Sequence, residues 1–150
     1  MPLNIVLFEP DIPNNTGNIG RLALASGSNL HLVKPFGFEL DDKRLKRAGL
    51  DYWPHISLFT YESIEEFYAN HIDKNLVYFS SHAHKDHWSI DYEDHMFLVF
   101  GKESVGLPKE IIHAHSNKLY KIPLYNPHIR SLNLANAVSI VVYEGLKHLG

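Results

Sequence analysis

Short apolar runs rich in β-branched and aromatic residues alternate with segments of helical periodicity along the chain. LNIVLFE, residues 3–9, reads as a strand, and DIPNNTGN after it as punctuation before a helix over residues 19–26. LHLVKP is the next strand, DDKRLKRAGL a short helix opened by Asp41 or Asp42, ISLFT a strand, and YESIEEFYANH a helix with acids in its first half, where they complement the helix dipole. NLVYFSS, MFLVFG and KLYKIPL continue the strands, and PKEIIHAH and RSLNLANAVSIVVYEGLKHLG complete the helices. This alternation predicts an α/β fold, a mostly parallel sheet flanked by helices, with sites gathered at the carboxyl ends of strands. No repeat, low-complexity tract or linker interrupts it, and 150 residues at 45% hydrophobic content build one core, so 1–150 is expected to be a single domain.

The closing helix poses a chemical question. Asn133 and Asn136 fall in its first turns, although asparagine is a poor helix former whose amide competes for local backbone groups. Ser131 is the expected N-cap, which leaves Asn133 in the first turn, where unpaired backbone donors and a side-chain amide can face a ligand together. Two other loops follow strands in the same way. In PNNTGNIGR, Gly17 and Gly20 leave room for a ligand at a helix N-terminus, and Arg21 adds a positive charge one turn inside it. The segment lacks G-x-G-x-x-G, and the second strand offers no acid for a ribose, which argues against a dinucleotide fold. In FLVFGKESVGLPKE, Gly101 permits close backbone approach, and Glu103 stands where a carboxylate needs a partner, Arg21 being the expected one. Each loop alone also fits plain turn and capping chemistry; the three together favour a site.

Composition narrows the partners. A net charge of -3 with eleven histidines gives no global basic signature, so any RNA must be held by a local patch. Lys43, Arg44, Lys46 and Arg47 form one, although such a run also suits a solvated helix face. Zero cysteines argue against a disulfide scaffold or a thiolate zinc site and fit a reducing cytoplasm. MPLNIVLFEP lacks a signal-peptide pattern and no stretch approaches membrane-spanning length, so a soluble cytoplasmic protein without membrane association is expected.

NNTGNIGR, FGKESVGLP and IRSLNLANAVSIVVYE resemble, in order and spacing, the three motifs of the SPOUT superfamily of RNA 2'-O-methyltransferases, and DDKRLKRAGLDYW resembles a stretch of its TrmL, or YibK-like, group. The similarity covers essentially the whole chain. It implies a C-terminal trefoil knot, S-adenosyl-L-methionine as methyl donor with S-adenosyl-L-homocysteine as product, no metal, and a homodimer. The implied substrate is the anticodon stem-loop of tRNA, methylated on the ribose of a wobble cytidine or 5-carboxymethylaminomethyluridine. Carried over position by position, the resemblance assigns catalysis to Asn15, Arg21, Glu103, Ser131 and Asn133. It assigns cofactor contacts to Phe79, Gly101, Ile122 and Ser131, with Leu124 and Leu132 as apolar walls. Tyr143, near the expected shared surface of the dimer, is assigned to tRNA together with Arg21 and the basic patch. YNPHI before Arg130 is one residue longer than the group's pattern.

The implied chemistry is in-line attack of a ribose hydroxyl on a sulfonium methyl, which needs positioning and the handling of one proton. A guanidinium is a reluctant proton acceptor, so Arg21 is expected to orient the substrate through a phosphate. Two other readings compete. SHAHKDH, residues 81–87, fits the H-x-H-x-D-H pattern of metal-dependent hydrolases, with His82, His84 and His87 as ligands, but Trp88 and Ser89 replace the glycines expected after it. A non-catalytic RNA-binding module leaves the retention of all five catalytic-type residues unexplained.

Overall fold

The computed structural model describes residues 2–40 and 43–150, apart from the side chains of Lys46 and residues 48–51. Among the described residues seven strands form one sheet: β1 (Asn4–Phe8), β2 (Asn29–Val33), β3 (Leu58–Tyr61), β4 (Leu76–Phe79), β5 (Lys85–Asp86), β6 (Phe97–Phe100) and β7 (Leu119–Lys121). Their order is β3-β2-β1-β6-β4-β7-β5, and every pairing is parallel. The chain therefore walks outward from β1 through β2 to β3, then crosses to the other side for β4. The carboxyl ends of β1, β6, β4 and β7 meet around that reversal, where open α/β sheets bind ligands.

Both faces are covered, which explains the continuous apolar strands. In β1, Ile5 and Leu7 point to one core and Val6 and Phe8 to the other. The first core packs beneath α1 (Pro13–Ser26) and α5 (Leu134–Leu149) through Ile19, Ala23, Val138, Val141 and Val142. Each of those α5 valines is fully buried and contributes about 2 kcal/mol as an upper estimate. The second core packs beneath α3 (Ile64–His71) and α4 (Lys109–Ala114) through Phe67 and Ile111. The remaining helix, α2 (Lys43–Gly49), leans on α1; the expected start at Asp41 or Asp42 lies outside the described residues.

Four local expectations change. Helix α1 starts at Pro13, not at residue 19, because proline at the first helical position gives up no hydrogen bond and its φ suits the helix. Gly20 consequently lies mid-helix, where a Cβ would stand 2.6 Å from the Trp53 ring; it makes room for that ring, not for a ligand. Strand β5, two residues within SHAHKDH, had no apolar run to reveal it and is held by pairing with β7. Helix α5 starts at Leu134 with Asn133 as N-cap, so Ser131 does not cap it. Among the described residues no helix is long and apolar enough to cross a membrane.

Candidate active site

A cavity of about 610 Å³ opens where β4, β6 and β7 end and α1 begins, within the range of small-molecule sites. Phe79 and Phe100, from the last positions of β4 and β6, stack at 4.7 Å on its lining, and Ile122, Leu124 and Leu132 add apolar surface. Gly101 also lines it. A Cβ on Gly101 would collide with the backbone of Gly106 and Leu107, so the glycine serves the loop's own fold as well as any ligand. That loop is closed by Gly106 N–H donating to Lys102 O at 2.8 Å, with Gly106 at φ 75°, a conformation that favours glycine.

The polar side of the cavity is a continuous chain of hydrogen bonds joining all three motif loops. Glu103 Oε1 accepts from Asp11 N at 3.0 Å, and Oε2 accepts from Ile12 N at 3.2 Å and from Asn15 Nδ2 at 3.2 Å. Ile12 is the N-cap of α1 and brings no polar side chain, and the Glu103 carboxylate, from the loop after the neighbouring strand β6, sits at the positive end of the helix dipole. Asn15 Oδ1 then accepts from Asn133 Nδ2 at 3.0 Å, and Asn133 Oδ1 accepts from Asn136 N at 3.2 Å. The orientations are forced. The Asn136 N–H holds Asn133 Oδ1, so Asn133 turns its Nδ2 to Asn15 Oδ1, which leaves Asn15 Nδ2 for Glu103. Among the described residues nothing accepts the second Nδ2 hydrogen of Asn133, a residue of the cavity wall.

Electrostatics sharpen this corner. Burial, and then the facing Asp11 carboxyl, push Glu103 above the ordinary glutamate range, while a hydrogen bond with Glu103 holds Asp11 below the usual aspartate range. Lys102 reaches Glu9 at 3.7 Å, and Glu9, at φ 54°, turns the chain out of β1 toward α1. Asp11 escaped the sequence reading, because an acid in a Pro- and Asn-rich stretch looks like an ordinary turn residue.

The cavity thus brings together Asn15, Glu103, Ser131, Asn133, Phe79, Gly101, Ile122, Leu124 and Leu132. It does not include Arg21. Instead of pairing with Glu103, that guanidinium lies over the Tyr52 ring, 5.5 Å from its centroid, on the exposed side of α1. Lys43, Arg44 and Arg47 are exposed on α2, while the Lys46 side chain lies outside the described residues. Tyr143 is 49% exposed on α5, away from the cavity lining. The Asn136 side chain is exposed, while its backbone N–H donates to Asn133 Oδ1. In the histidine cluster His82 and His84 are exposed and His87 is buried, and among the described residues no three His, Asp or Glu side chains are grouped to hold a metal.

Comparison with known proteins follows the same lines. A family model described as SpoU rRNA Methylase family matches residues 2–143. An Escherichia coli (strain K12) protein named tRNA (cytidine(34)-2'-O)-methyltransferase is 43% identical over 149 residues, 99% of this chain and 94% of the relative. A solved structure described by the 2-OH methylation of C/U34 on tRNA superposes with a TM-score of 0.93 at 41% identity, covering 98% of this chain and 95% of its own. An AdoMet-bound rRNA methyltransferase from Sinorhizobium meliloti superposes at 0.88 with 27% identity, covering 99% of this chain and 57% of its own.

Proposed function

The chain belongs to the SpoU rRNA methylase family, and from that premise we propose that it is a tRNA (cytidine/uridine wobble) 2'-O-methyltransferase using S-adenosyl-L-methionine. The observation that carries the reading is the hydrogen-bonded chain from Glu103 through Asn15 to Asn133 along one wall of a cavity whose other walls are apolar. When bound, S-adenosyl-L-methionine supplies an electrophilic sulfonium methyl and leaves as S-adenosyl-L-homocysteine. Phe79, Ile122, Leu124 and Leu132 are the apolar surface for its adenosine, with Gly101, Ile122 and Ser131 offering backbone groups. The free Nδ2 hydrogen of Asn133 is placed to orient a ribose oxygen, and excluding water there favours transfer to the hydroxyl.

Arg21 and Tyr143 act, in this reading, across a homodimer. Ile140 and Tyr143 are 41% and 49% exposed on α5, which packs beside α1, and a second copy covering that side would bring its own Arg21 toward the cavity. Arg21 then orients a phosphate of the anticodon stem-loop, with Lys43, Arg44 and Arg47 extending the positive surface and Lys46 assigned with them. A cytoplasmic location and a C-terminal trefoil knot complete the proposal. The test is to incubate tRNA with labelled cofactor and map the product: label on the wobble ribose supports the reading, and label on a base or none rejects it. Cofactor should also raise the melting temperature by mass action, and a zinc chelator should leave activity unchanged.

A further inference from the structure

Asp11, beside the cavity lining next to Ile12, carries a carboxylate that the chemistry above does not use. Its Oδ2 accepts from Ser104 Oγ at 2.8 Å, and its N–H donates to Glu103 Oε1 at 3.0 Å. Its Oδ1 is fully buried with no donor among the described residues. A buried carboxylate oxygen without a donor is costly, and the Asp11 carboxyl lies within side-chain hydrogen-bonding reach of the Glu103 carboxyl, which can supply a hydrogen only by carrying a proton. Glu103 is in turn fixed by three N–H donors, one of them Asn15. We propose that Asp11 is a positioning residue for methyl transfer: it shares one proton with Glu103, and that shared proton holds Glu103, Asn15 and Asn133 in a single hydrogen-bonded orientation. The proposal rests on the methyltransferase reading.

Two ionised carboxylates side by side would repel, swing Glu103 away and release the Asn15 Nδ2. Burial and the Asp11 charge both favour retaining the proton on Glu103. The charged group acting on the pair is Lys102 on the same loop, itself bound to Glu9, and the other charged or titratable side chains of the cavity lining are His82, Lys121 and Arg130. Lys102 lowers the affinity of Asp11 for the proton, leaving it on Glu103.

Two substitutions test this in the full-length protein with tRNA. Asp11→Ala removes the partner and should lower kcat about tenfold to a hundredfold, with cofactor affinity by calorimetry unchanged. Asp11→Asn carries a permanent N–H donor in place of the shared proton and should restore most of kcat. It should also gain on wild type as pH rises, because wild type alone loses its proton. A wild-type kcat in Asp11→Ala, or an Asn-to-wild-type ratio flat across pH 5.5–9, overturns the proposal while leaving the methyltransferase reading intact. A wild-type protein that methylates no tRNA overturns the reading itself. Should Asp11→Ala fail to fold, the pH ratio of Asp11→Asn decides alone.

Discussion

Two hydrogen-bonded networks cross this molecule, and they end differently. The one at the cavity runs from Glu103 through Asn15 to Asn133 and leaves a donor hydrogen at an open wall. The other lies sealed between the sheet and α3. Asn4 Nδ2 donates to His95 O at 2.9 Å, which turns Asn4 Oδ1 toward His31 Nε2 at 2.9 Å. His31 must then carry its hydrogen on Nε2 and accept at Nδ1 from Tyr61 OH at 2.8 Å, and that hydroxyl accepts from His71 Nε2 at 2.8 Å. Among the described residues the sealed chain ends at a His71 Nδ1 that is buried without a partner. Rings of Phe59 and Tyr61 stack on His31, so no ligand reaches it. The difference separates two uses of polar side chains: bonded strand to strand inside the fold they specify strand register, and left one hydrogen short at a cavity they can bind.

Variants can break this contrast at either end. The largest effect is expected outside both networks: Arg21→Ala should abolish turnover with cofactor affinity intact, as measured by tRNA methylation beside calorimetry. Co-refolding that variant with Asn133→Ser would sharpen the dimer proposal. If each site takes Arg21 from one subunit and Asn133 from the other, activity should return to about a quarter of wild type. Two inactive variants that stay inactive together reject it.

Next comes Asn133→Ser itself. Serine preserves the helix cap but removes the amide hydrogens, so methylation should slow about a hundredfold while the melting temperature stays close to wild type.

In the sealed network the expected effect is on stability alone. Burial, and then the nearby His71, lower His31 to about 4 from an ordinary 6.5. Above pH 6.5 neither the folded nor the unfolded chain protonates this ring, so its contribution is level. Between pH 6.5 and 4 the unfolded chain takes up a proton that the folded one refuses, and stability should fall by about 3 kcal/mol in total. Urea unfolding at pH 7.5 and 5 reads this directly, and His31→Gln should be less stable at pH 7.5 yet lose less on acidification. Smallest of all, Asn136→Ala should move neither turnover nor melting temperature measurably, since its exposed side chain gives up nothing and alanine favours the helix.

How far the sequence carried depended on whether a feature was local. Short apolar runs rich in β-branched and aromatic residues, alternating with helical segments, identified six of the seven strands and a parallel sheet covered on both faces; β5 escaped because pairing, not composition, holds its two residues. The three loops were legible as unusual, and the chain brings them together at one cavity. Their wiring was not legible. Arg21 and Glu103 looked complementary as charges, yet the carboxylate is taken by the N–H groups of Asp11 and Ile12 at the entry to α1 and by the Asn15 amide. Likewise Ser131 outranks Asn133 as a cap by local order, but the Asn15 amide 118 positions away selects Asn133. Asp11 carries no signal except its place beside a proline, and only the fold turns it toward Glu103.

The central claim is that the Glu103–Asn15–Asn133 chain serves methyl transfer to a ribose hydroxyl. The most direct measurement is a single-turnover assay with labelled S-adenosyl-L-methionine and tRNA, comparing wild type with Asn133→Ser and mapping the label by nuclease digestion. The account predicts label on the 2'-oxygen of the wobble nucleotide at a rate about a hundredfold lower in the variant, with equal cofactor affinity and melting temperature. Equal rates in the two proteins, or label anywhere other than a ribose, would contradict it.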